Sequence, residues 1–394
     1  MDDAGRLALD LAGDLDRDLP SMLTLVERLV SIDSGSRDQR GVQAVSEAVT
    51  TALEERGFAL RRTAIPGHAD LVSASGGGKA GPRVLVMGHC DTVWPLGTAA
   101  EWPLRREGDR ISGPGVGDMK ASLVMACFAL GALRTRGLLE HVQVTLMLVP
   151  DEELGSVASR PAIERECTRA DICLGLEAAS PGGGVVVERG AVGALTARAT
   201  GRTAHVTADD PGASALSALA RLVAPLEALT RREAGVSVAA GILRGGSARQ
   251  VVPGEAELHL DLRAPDAGTA AQLEREVRDL VEGAAPAGVT IAVEGGFTRP
   301  TLPRGEGTER LYALAATACE ALGEPLFARS ERGGSDASFA GAMGVATLDG
   351  LGPVCHDSCS RREAVEVHSI SRRGAVFGAL VAHAGAVVGA GHAA

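Results

Sequence analysis

The chain has 394 residues, a length that predicts two domains because single hydrophobic cores rarely grow beyond about 250 to 300 residues. Hydrophobic residues make up 45% of it, and no apolar run approaches the roughly 20 residues that span a bilayer, which argues against a membrane protein. The formal net charge of -11 disfavours nucleic acid as a partner, because nucleic acids are themselves polyanions.

The cysteines and the N-terminal segment bear on the cellular compartment. Seven cysteines form no CxxC pair and are odd in number, so we predict reduced thiols and no disulfide framework. The first 20 residues, MDDAGRLALDLAGDLDRDLP, are acidic and do not resemble a secretory signal. We therefore expect a cytoplasmic protein. Because aromatic residues make up only 2% of the chain, its core must consist mostly of small aliphatic side chains.

Hydrophobic periodicity predicts an α/β domain in the first half of the chain. Helical spacing covers residues 7–29, 41–56 and 120–136, whereas apolar runs at 84–87, 142–149 and 171–176 are typical of buried strands. The Gly-rich segment 73–81 reads as a flexible turn before the first of these strands. It could suggest a phosphate loop, but it has no Ser or Thr after its lysine.

The pattern changes after the Gly-rich segment 182–184. Strands are predicted at 191–200, 237–243, 255–264 and 289–294, and clear alternation in them indicates a sheet with one face exposed to solvent. Helices are predicted between them at 213–229 and 268–283. We expect an α+β insert with both helices on one face of an antiparallel sheet. The first pattern then returns, with helices at 306–322 and 369–388 and a strand at 344–348.

Polar side chains follow three of the buried strands directly. His89 and Asp91 come after the first strand, Glu152 and Glu153 after the second, and Glu177 after the third. Ligands in open α/β sheets bind at the carboxyl ends of the strands, so these side chains should converge. Residues two apart on extended backbone point the same way, which lets Asp91 hydrogen-bond the far ring nitrogen of a metal-bound His89.

The candidate metal ligands combine imidazole with carboxylate, a mixture that suits zinc. They are His89, Asp118, Glu153, Glu177 and His356. Five ligands exceed what one catalytic ion with an open position requires, whereas two ions bridged by one carboxylate use them all. Asp118 is the predicted bridge, because it is the one candidate acid that does not follow directly from a strand. We predict two Zn²⁺ per chain, with Co²⁺ or Mn²⁺ as alternatives.

The adjacent acids Glu152 and Glu153 should not both project onto one ion. One of them would ligate while the other carries protons, and we choose Glu152 as that general base. It would accept a proton from the water that attacks a carbonyl and return it to the leaving nitrogen. Taken singly, each of these residues could equally be a loop anchor or a solvated surface group, so the prediction depends on their joint occurrence.

The cysteines allow two alternative interpretations of the site. Cys90 beside His89 could suggest a thiol nucleophile, although it should face away from its neighbours. Cys355 and Cys359 flank His356 and could suggest a structural zinc, but no second Cys or His pair has the matching spacing.

The chain contains, in order, the motifs GHCDTV, GPGVGDMK, PDEELGS, GLEAAS, GRTAH and CHDS. It also contains a strand of alternating polar and apolar residues that ends in an arginine. Together these features resemble the M20 family of di-zinc metallopeptidases. Their nearest likeness is to its glutamate carboxypeptidase branch, the carboxypeptidase G2 type, over residues 23–388. The resemblance implies a zinc-peptidase-like catalytic domain with a mixed sheet flanked by helices, residues 1–188 and 299–394. It also implies an inserted lid and dimerisation domain, residues 189–298.

The same resemblance assigns the site residues. It implies that His89 and Glu177 hold one zinc, that Glu153 and His356 hold the other, and that Asp118 bridges them. In the insert, His205 would stabilise the oxyanion, within the same chain or across a homodimer.

Substrate contacts follow from the resemblance as well. Arg263 would bind the substrate carboxylate, a task for which a guanidinium fork is suited. Gln250, Arg299 and the loop 333–336 are further candidates for the same pocket. A basic residue that glutamate-specific relatives use after Glu177 has no clear match in 184–187, which leaves the preference for glutamate open.

These features predict a hydrolase that cleaves an amide bond next to a free carboxylate, in a small peptide or an N-acylated amino acid. One alternative is a deacylase of N-acetylated or N-succinylated amino acids, or a carbamoyl amidohydrolase. The other is a binding protein without turnover. Glu152 argues against the binding protein, because a pure binder has no need of a general base.

Overall fold

The computed structural model describes residues 2–389, which divide into two compact units. The first comprises the residues up to 188 together with 302–330 and those from 335 onward. The second comprises residues 189–301 and 331–334. The sequence had assigned 299–301 and 331–334 to the first domain. The roles of the two units, as catalytic domain and as lid, stay predictions.

Within residues 2–389 the chain forms eleven α-helices, and each helix predicted from periodicity is among them. A break after residue 382 divides the last predicted helix in two. The helices are α1 (Asp3–Val30), α2 (Gln39–Glu55), α3 (Thr98–Glu101), α4 (Ala121–Thr135), α5 (Arg160–Cys167), α6 (Ala215–Glu227), α7 (Ala267–Glu282), α8 (Glu306–Leu322), α9 (Ala337–Ala342), α10 (Val367–Ala382) and α11 (Ala384–Val388).

The same residues contain eighteen β-strands. They are β1 (Ala59–Thr63), β2 (Leu71–Gly77), β3 (Arg83–His89), β4 (Arg105–Glu107), β5 (Arg110–Ser112), β6 (Gln143–Val149), β7 (Ile172–Gly175), β8 (Gly184–Arg189), β9 (Ala191–Thr200), β10 (Ala204–His205), β11 (Ser237–Gly245), β12 (Val251–Val252), β13 (Glu255–Ala264), β14 (Thr290–Arg299), β15 (Phe327–Glu331), β16 (Ala346–Leu348), β17 (Cys355–His356) and β18 (Ala364–Glu366).

A mixed sheet of six strands forms the centre of the first unit, in the order β1-β2-β6-β3-β7-β16. Strands β6, β3, β7 and β16 are parallel to one another, whereas β2 pairs antiparallel with both β6 and β1. The register pairs His89 with Val149 and Met87 with Gly175, so β3, β6 and β7 end at the same edge. This confirms the predicted mixed α/β fold.

The interpretation of residues 73–81 as a turn was wrong for 73–77, whereas 78–81 do form the bend before β3. Residues 73–77 belong to β2, where Ser73 pairs with Met147 and Gly77 with Gln143 of β6. Serine and glycine carry little strand propensity of their own, so cross-strand hydrogen bonding to a buried neighbour decides the conformation here.

Alternating residues of β3 face two different layers, as extended backbone requires. Val84 and Val86 pack into one core cluster with residues of α1, α4 and α10, whereas Leu85 and Met87 pack into a second with residues of α5 and α9. Because both faces are covered, the strand is apolar throughout, which explains why it reads as a continuous hydrophobic run.

A smaller sheet in the first unit carries a loop that matters for the site. Its four strands run in the order β17-β18-β5-β4. Strand β17 pairs antiparallel with β18, with His356 opposite Ala364, and the loop between them spans residues 357–363. Glu363, at the end of this loop, is fully buried.

The second unit is built on an antiparallel sheet in the order β11-β13-β9-β14. Burial alternates along β9 and β13, and the buried face forms one cluster with apolar residues of both α6 and α7. This confirms the prediction of two helices on one face of an antiparallel sheet. The short strands β10 and β12 form a separate ribbon.

Among the described residues, one helical stretch, 116–135, is apolar and long enough to cross a membrane, with a mean hydropathy of 1.5. In this structure 83% of its most apolar part is buried inside the protein. Core helices commonly meet the same criteria of length and composition, so this stretch is weak evidence of a membrane span.

Candidate metal centre

His89 lies at the carboxyl end of β3 with its imidazole almost fully buried. Its Nδ1 lies 3.0 Å from the backbone oxygen of Asp91 and 3.4 Å from Oδ1 of the same residue. Its Nε2 lies 3.0 Å from Oδ1 of Asp118 and 3.9 Å from Oε1 of Glu177. One ring nitrogen is thus held by residue 91, and the other faces two carboxylates.

The carboxylate of Asp91 also fixes the turn that follows β6. Its Oδ1 accepts a hydrogen bond from the backbone N–H of Glu152 at 3.1 Å, and its Oδ2 accepts one from that of Glu153 at 3.0 Å. The hydroxyl of Ser36 donates to Oδ2 at 2.7 Å. Asp91 therefore connects the end of β3 to the turn that follows the neighbouring strand β6, and it also contacts the imidazole of His89.

Asp118 lies in an irregular helical turn, Val116–Lys120, that precedes α4. The backbone N–H groups of Gly117 and Asp118 both donate to Oε1 of Glu363, at 2.6 and 3.2 Å. Buried Lys120 anchors the other end of the turn, since its Nζ donates to the carbonyls of Ile32 and Pro114 at 2.9 and 3.3 Å. Residues distant in the sequence thus hold the Asp118 carboxylate in place.

Two groups of potential metal ligands share Asp118. The first consists of His89, Asp118 and Glu177, and the second of Asp118, Glu153 and Cys359. In each group, one ligand atom per residue lies within 4.8 Å of the others. Four of the five ligands predicted from sequence are therefore brought together, with Asp118 common to both groups.

His356, the fifth predicted ligand, belongs to neither of these groups. Its Nε2 lies 2.7 Å from Oε1 of Glu366 on the neighbouring strand and 3.4 Å from a guanidinium nitrogen of Arg110. Cys359, three residues later, lies 3.1 Å through its Sγ from Oδ2 of Asp118. The structure thus brings a different side chain of the same loop to the cluster.

The electrostatics of the cluster favour a bound cation. Burial, together with the negative charge of Asp118, raises the pKa of Glu153 to about 9 and raises the pKa of Glu177 well above its usual range. Burial also opposes ionisation of Asp118, but hydrogen bonds from His89 and Cys359 lower its pKa overall.

The donor set fits a pair of divalent cations. Oε1 of Glu153 is buried and has no hydrogen-bond partner among the described residues. A cation beside it would satisfy this oxygen and offset the repulsion between neighbouring carboxylates. Imidazole nitrogen, carboxylate oxygen and thiolate sulfur are all zinc ligands.

Glu152 belongs to neither group of potential ligands, although it is adjacent to one of their members. Its backbone N–H donates to Oδ1 of Asp91, the residue that contacts His89, so Glu152 lies at the edge of the cluster. This position is compatible with the predicted role of proton carrier, which stays a prediction.

The remaining predicted residues lie in the second unit. His205 is exposed at the end of β10, where its Nδ1 contacts the Thr207 hydroxyl at 2.8 Å. Gln250 is also exposed and accepts a hydrogen bond through its backbone oxygen from Val206 at 3.0 Å. Their roles toward a substrate stay predictions.

The two predicted substrate arginines differ in their surroundings. Arg263 donates from two guanidinium nitrogens to the two carboxylate oxygens of Asp261, both at 2.8 Å, and from a third to the carbonyl of Arg332 at 3.1 Å. Arg299 is buried at the end of β14, with Gly334 packed against its side chain. The guanidinium group of Arg263 is thus already paired with the carboxylate of Asp261.

Comparison with known proteins identifies the family. Residues 85–383 match the sequence pattern of peptidase family M20/M25/M40. The chain belongs to this family. It is therefore an enzyme of the carboxypeptidase and amidohydrolase type, as the sequence predicted.

Relatives of this M20 enzyme act on more than one class of substrate. It is 28% identical to carboxypeptidase G2 of Pseudomonas sp. (strain RS-16), over 90% of this chain and 87% of the relative. It is 29% identical to a succinyl-diaminopimelate desuccinylase of Methylobacterium sp. (strain 4-46), over 68% of this chain and 72% of the relative.

The fold is also found in solved M20 structures. The YXEP protein of Bacillus subtilis, described as a dinuclear metal binding peptidase of the M20 family, superposes with a TM-score of 0.67 at 14% identity. The superposition covers 94% of this chain and 99% of that one.

Sequence reasoning missed Glu363, which positions the Asp118 turn of this M20 enzyme. We expect Glu363→Ala to weaken metal binding by about 10- to 100-fold, as loss of residues that orient metal ligands commonly does. It leaves two backbone N–H groups without their acceptor, at a cost of about 1–3 kcal/mol for each one that stays buried. Metal titration and thermal unfolding measure the two effects.

Glu363→Gln is the matched control, because its side chain keeps an acceptor oxygen and should retain most of the affinity. Equal metal affinity in Glu363→Ala and the unchanged enzyme would contradict this positioning role.

Proposed function

We propose that this M20 enzyme is a metal-dependent hydrolase that cleaves an amide bond next to a free carboxylate, in a small peptide or an N-acylated amino acid. The observation that carries the proposal is the position of Asp118, which both groups of potential ligands share. A single carboxylate common to two sets of donors is the arrangement that a two-metal hydrolase requires.

The proposed ions are two Zn²⁺ per chain, with Co²⁺ or Mn²⁺ as substitutes. His89, Asp118 and Glu177 would hold one. Asp118 and Glu153 would hold the other, together with His356, the fifth ligand predicted from the sequence. Bound there, the cations would supply Lewis acidity, which polarises a carbonyl and lowers the pKa of water. The M20 structure from Bacillus subtilis described as dinuclear supports the number of ions.

In this mechanism Glu152 moves the proton. Its carboxylate would accept a proton from the attacking water and then donate it to the nitrogen that leaves. The hydrogen bonds from its backbone and that of Glu153 to Asp91 hold this turn at the edge of the sheet. His205 would donate to the oxygen on which negative charge develops.

The carboxypeptidase G2 relative supports a substrate with a free C-terminal carboxylate. The resemblance to the glutamate carboxypeptidase branch extends the proposal to release of C-terminal glutamate. The desuccinylase relative supports the second candidate, an N-acyl amino acid deacylase. N-carbamoyl amino acids are a further group of substrates for this second candidate. A binding protein without turnover would not need the acid at position 152.

A substrate panel with the metal-loaded enzyme tests the proposal. Peptides ending in glutamate, N-acetyl, N-succinyl and N-carbamoyl amino acids would be compared at equal concentration, with esterified or amidated versions as controls for the free carboxylate. We expect hydrolysis of at least one free-carboxylate substrate and a much lower rate on its amidated form. Absence of turnover on every amide would contradict the proposal.

Arg263 provides a prediction about substrate capture. We expect Arg263→Ala to raise KM for a free-carboxylate substrate by about tenfold to a hundredfold with little change in kcat, since a charged hydrogen bond contributes about 1.5–3 kcal/mol. Steady-state kinetics measure both constants. Arg198→Ala is the control, because Arg198 pairs with two surface glutamates of the same sheet. An unchanged KM in Arg263→Ala would refute the assignment.

Two further proposals concern the assembly and its compartment. All seven cysteines are free thiols, which supports a cytoplasmic enzyme because that compartment keeps thiols reduced. The M20 resemblance supports a homodimer, which light scattering on the purified enzyme would test.

A further inference from the structure

The guanidinium group of Arg263 is held on the sheet of the second unit by two contacts. Its Nε and Nη2 donate to Oδ1 and Oδ2 of Asp261, both at 2.8 Å, and its Nη1 donates to the carbonyl of Arg332 at 3.1 Å. All three residues belong to the second unit. Because Asp261 and Arg263 are two apart on strand β13, their side chains lie on the same face of the sheet. The strand itself thus places a carboxylate beside the guanidinium.

The neighbouring strands leave this pair undisturbed. Asp261 lies opposite Ala194 of β9 and Ala239 of β11. Both carry only a methyl group, so neither strand places another polar side chain directly opposite the carboxylate of Asp261. The side chain of Asp261 is 47% exposed and that of Arg263 is 30% exposed. The pair is therefore open to water on this face of the sheet, and its partners hold it without sealing it.

A count of donors shows what Arg263 can still bind. A guanidinium carries five N–H groups, one on Nε and two on each terminal nitrogen. Asp261 accepts the one on Nε and one on Nη2, and the carbonyl of Arg332 accepts one on Nη1. One N–H thus remains on each terminal nitrogen. Two donors on neighbouring nitrogens are what bidentate binding of a carboxylate requires.

We propose that Asp261 is a positioning residue, which with the carbonyl of Arg332 holds the Arg263 guanidinium so that its two remaining N–H groups receive the substrate carboxylate. The inference rests on the proposed function, which assigns that carboxylate to Arg263. Fixing a long side chain before binding lowers the entropic cost of capture. Water and salt screen the repulsion between the exposed Asp261 carboxylate and that of the substrate, so the effect of orientation should be the larger one.

Steady-state kinetics of Asp261→Ala test the inference, with the free-carboxylate substrate of the panel that the enzyme hydrolyses fastest. We expect KM to rise about three- to tenfold with little change in kcat, a factor comparable to the cost of ordering one long side chain. Asp261→Asn keeps one acceptor oxygen and should have an intermediate KM. Asp279→Asn is the matched control, because Asp279 is an exposed acid of α7 in the same unit, and its KM should not change.

A double-mutant cycle separates positioning from a general structural effect. Because Asp261 is proposed to act through Arg263, Asp261→Ala should raise KM no further in an enzyme that already carries Arg263→Ala. The amidated form of the substrate, which lacks the carboxylate, should show no response to Asp261→Ala. An equal rise of KM in both backgrounds would overturn the inference. A fall of KM in Asp261→Ala would also overturn it, since it would show that Asp261 competes with the substrate for the arginine.

Nuclear magnetic resonance provides a readout that does not require turnover. In enzyme isotope-labelled in its arginine side chains, the Nε–H signal of Arg263 is assigned by its absence from Arg263→Ala. We expect this N–H to exchange with solvent about tenfold or more slowly in the unchanged enzyme than in Asp261→Ala, because its hydrogen bond protects it. Equal exchange rates would overturn the inference and leave the proposed hydrolase intact. Failure of the substrate panel would instead contradict the proposed function.

Discussion

Replacing Glu152 by glutamine should lower kcat by about 10²- to 10⁴-fold while leaving the metal content near two ions per chain. The amide has nearly the same shape as the carboxylate, but it cannot accept a proton from water at neutral pH. Because Glu152 belongs to neither group of potential ligands, its loss should not release an ion. Steady-state kinetics and elemental analysis of the same preparation measure the two quantities.

Glu320→Gln is the control for this experiment, since it makes the same chemical change at an exposed position of α8. A Glu152→Gln enzyme of nearly normal rate would show that another group carries the proton. A low rate accompanied by loss of an ion would show that Glu152 is a ligand and that the base has been assigned to the wrong acid.

Replacing Asp118 by asparagine should have a still larger effect, because Asp118 is the residue common to both groups of ligands. We expect the metal content to fall well below two ions per chain and hydrolysis to drop to the level of the protein-free reaction. The charge that attracts both cations is removed, whereas the size of the side chain is retained. Elemental analysis after gel filtration and the substrate panel provide the measurements.

Asp357→Asn is the matched control, because Asp357 is an exposed acid in the loop that contacts Asp118. This variant should keep both ions and normal turnover. Retention of two tightly bound ions by Asp118→Asn would exclude the bridging role.

The sequence predicted the fold well because its strongest signals are local. Strands β3, β6 and β7 are apolar runs buried on both faces, and the polar residues that follow them mark the edge where they end. His89, Glu153 and Glu177 could be expected to meet because parallel neighbouring strands finish together. The small residues of β2 gave no such signal, since its conformation depends on pairing with β6.

The parts of the site that sequence reasoning missed depend on contacts between distant residues. Glu363 and Gly117 are separated by 246 positions, and Cys359 and Asp118 by 241. The CHDS motif indicated that the loop after residue 355 belongs to the site. It could not indicate which side chain of the loop faces Asp118, because that depends on how Glu363 attaches the loop to the turn before α4.

Anomalous diffraction at the zinc edge, from crystals of the zinc-loaded enzyme, shows whether Asp118 lies between two bound cations. We expect two peaks about 3.5–4 Å apart, both in contact with the carboxylate of Asp118. A single peak, or two peaks that do not share Asp118, would mean that Asp118 does not bridge two ions.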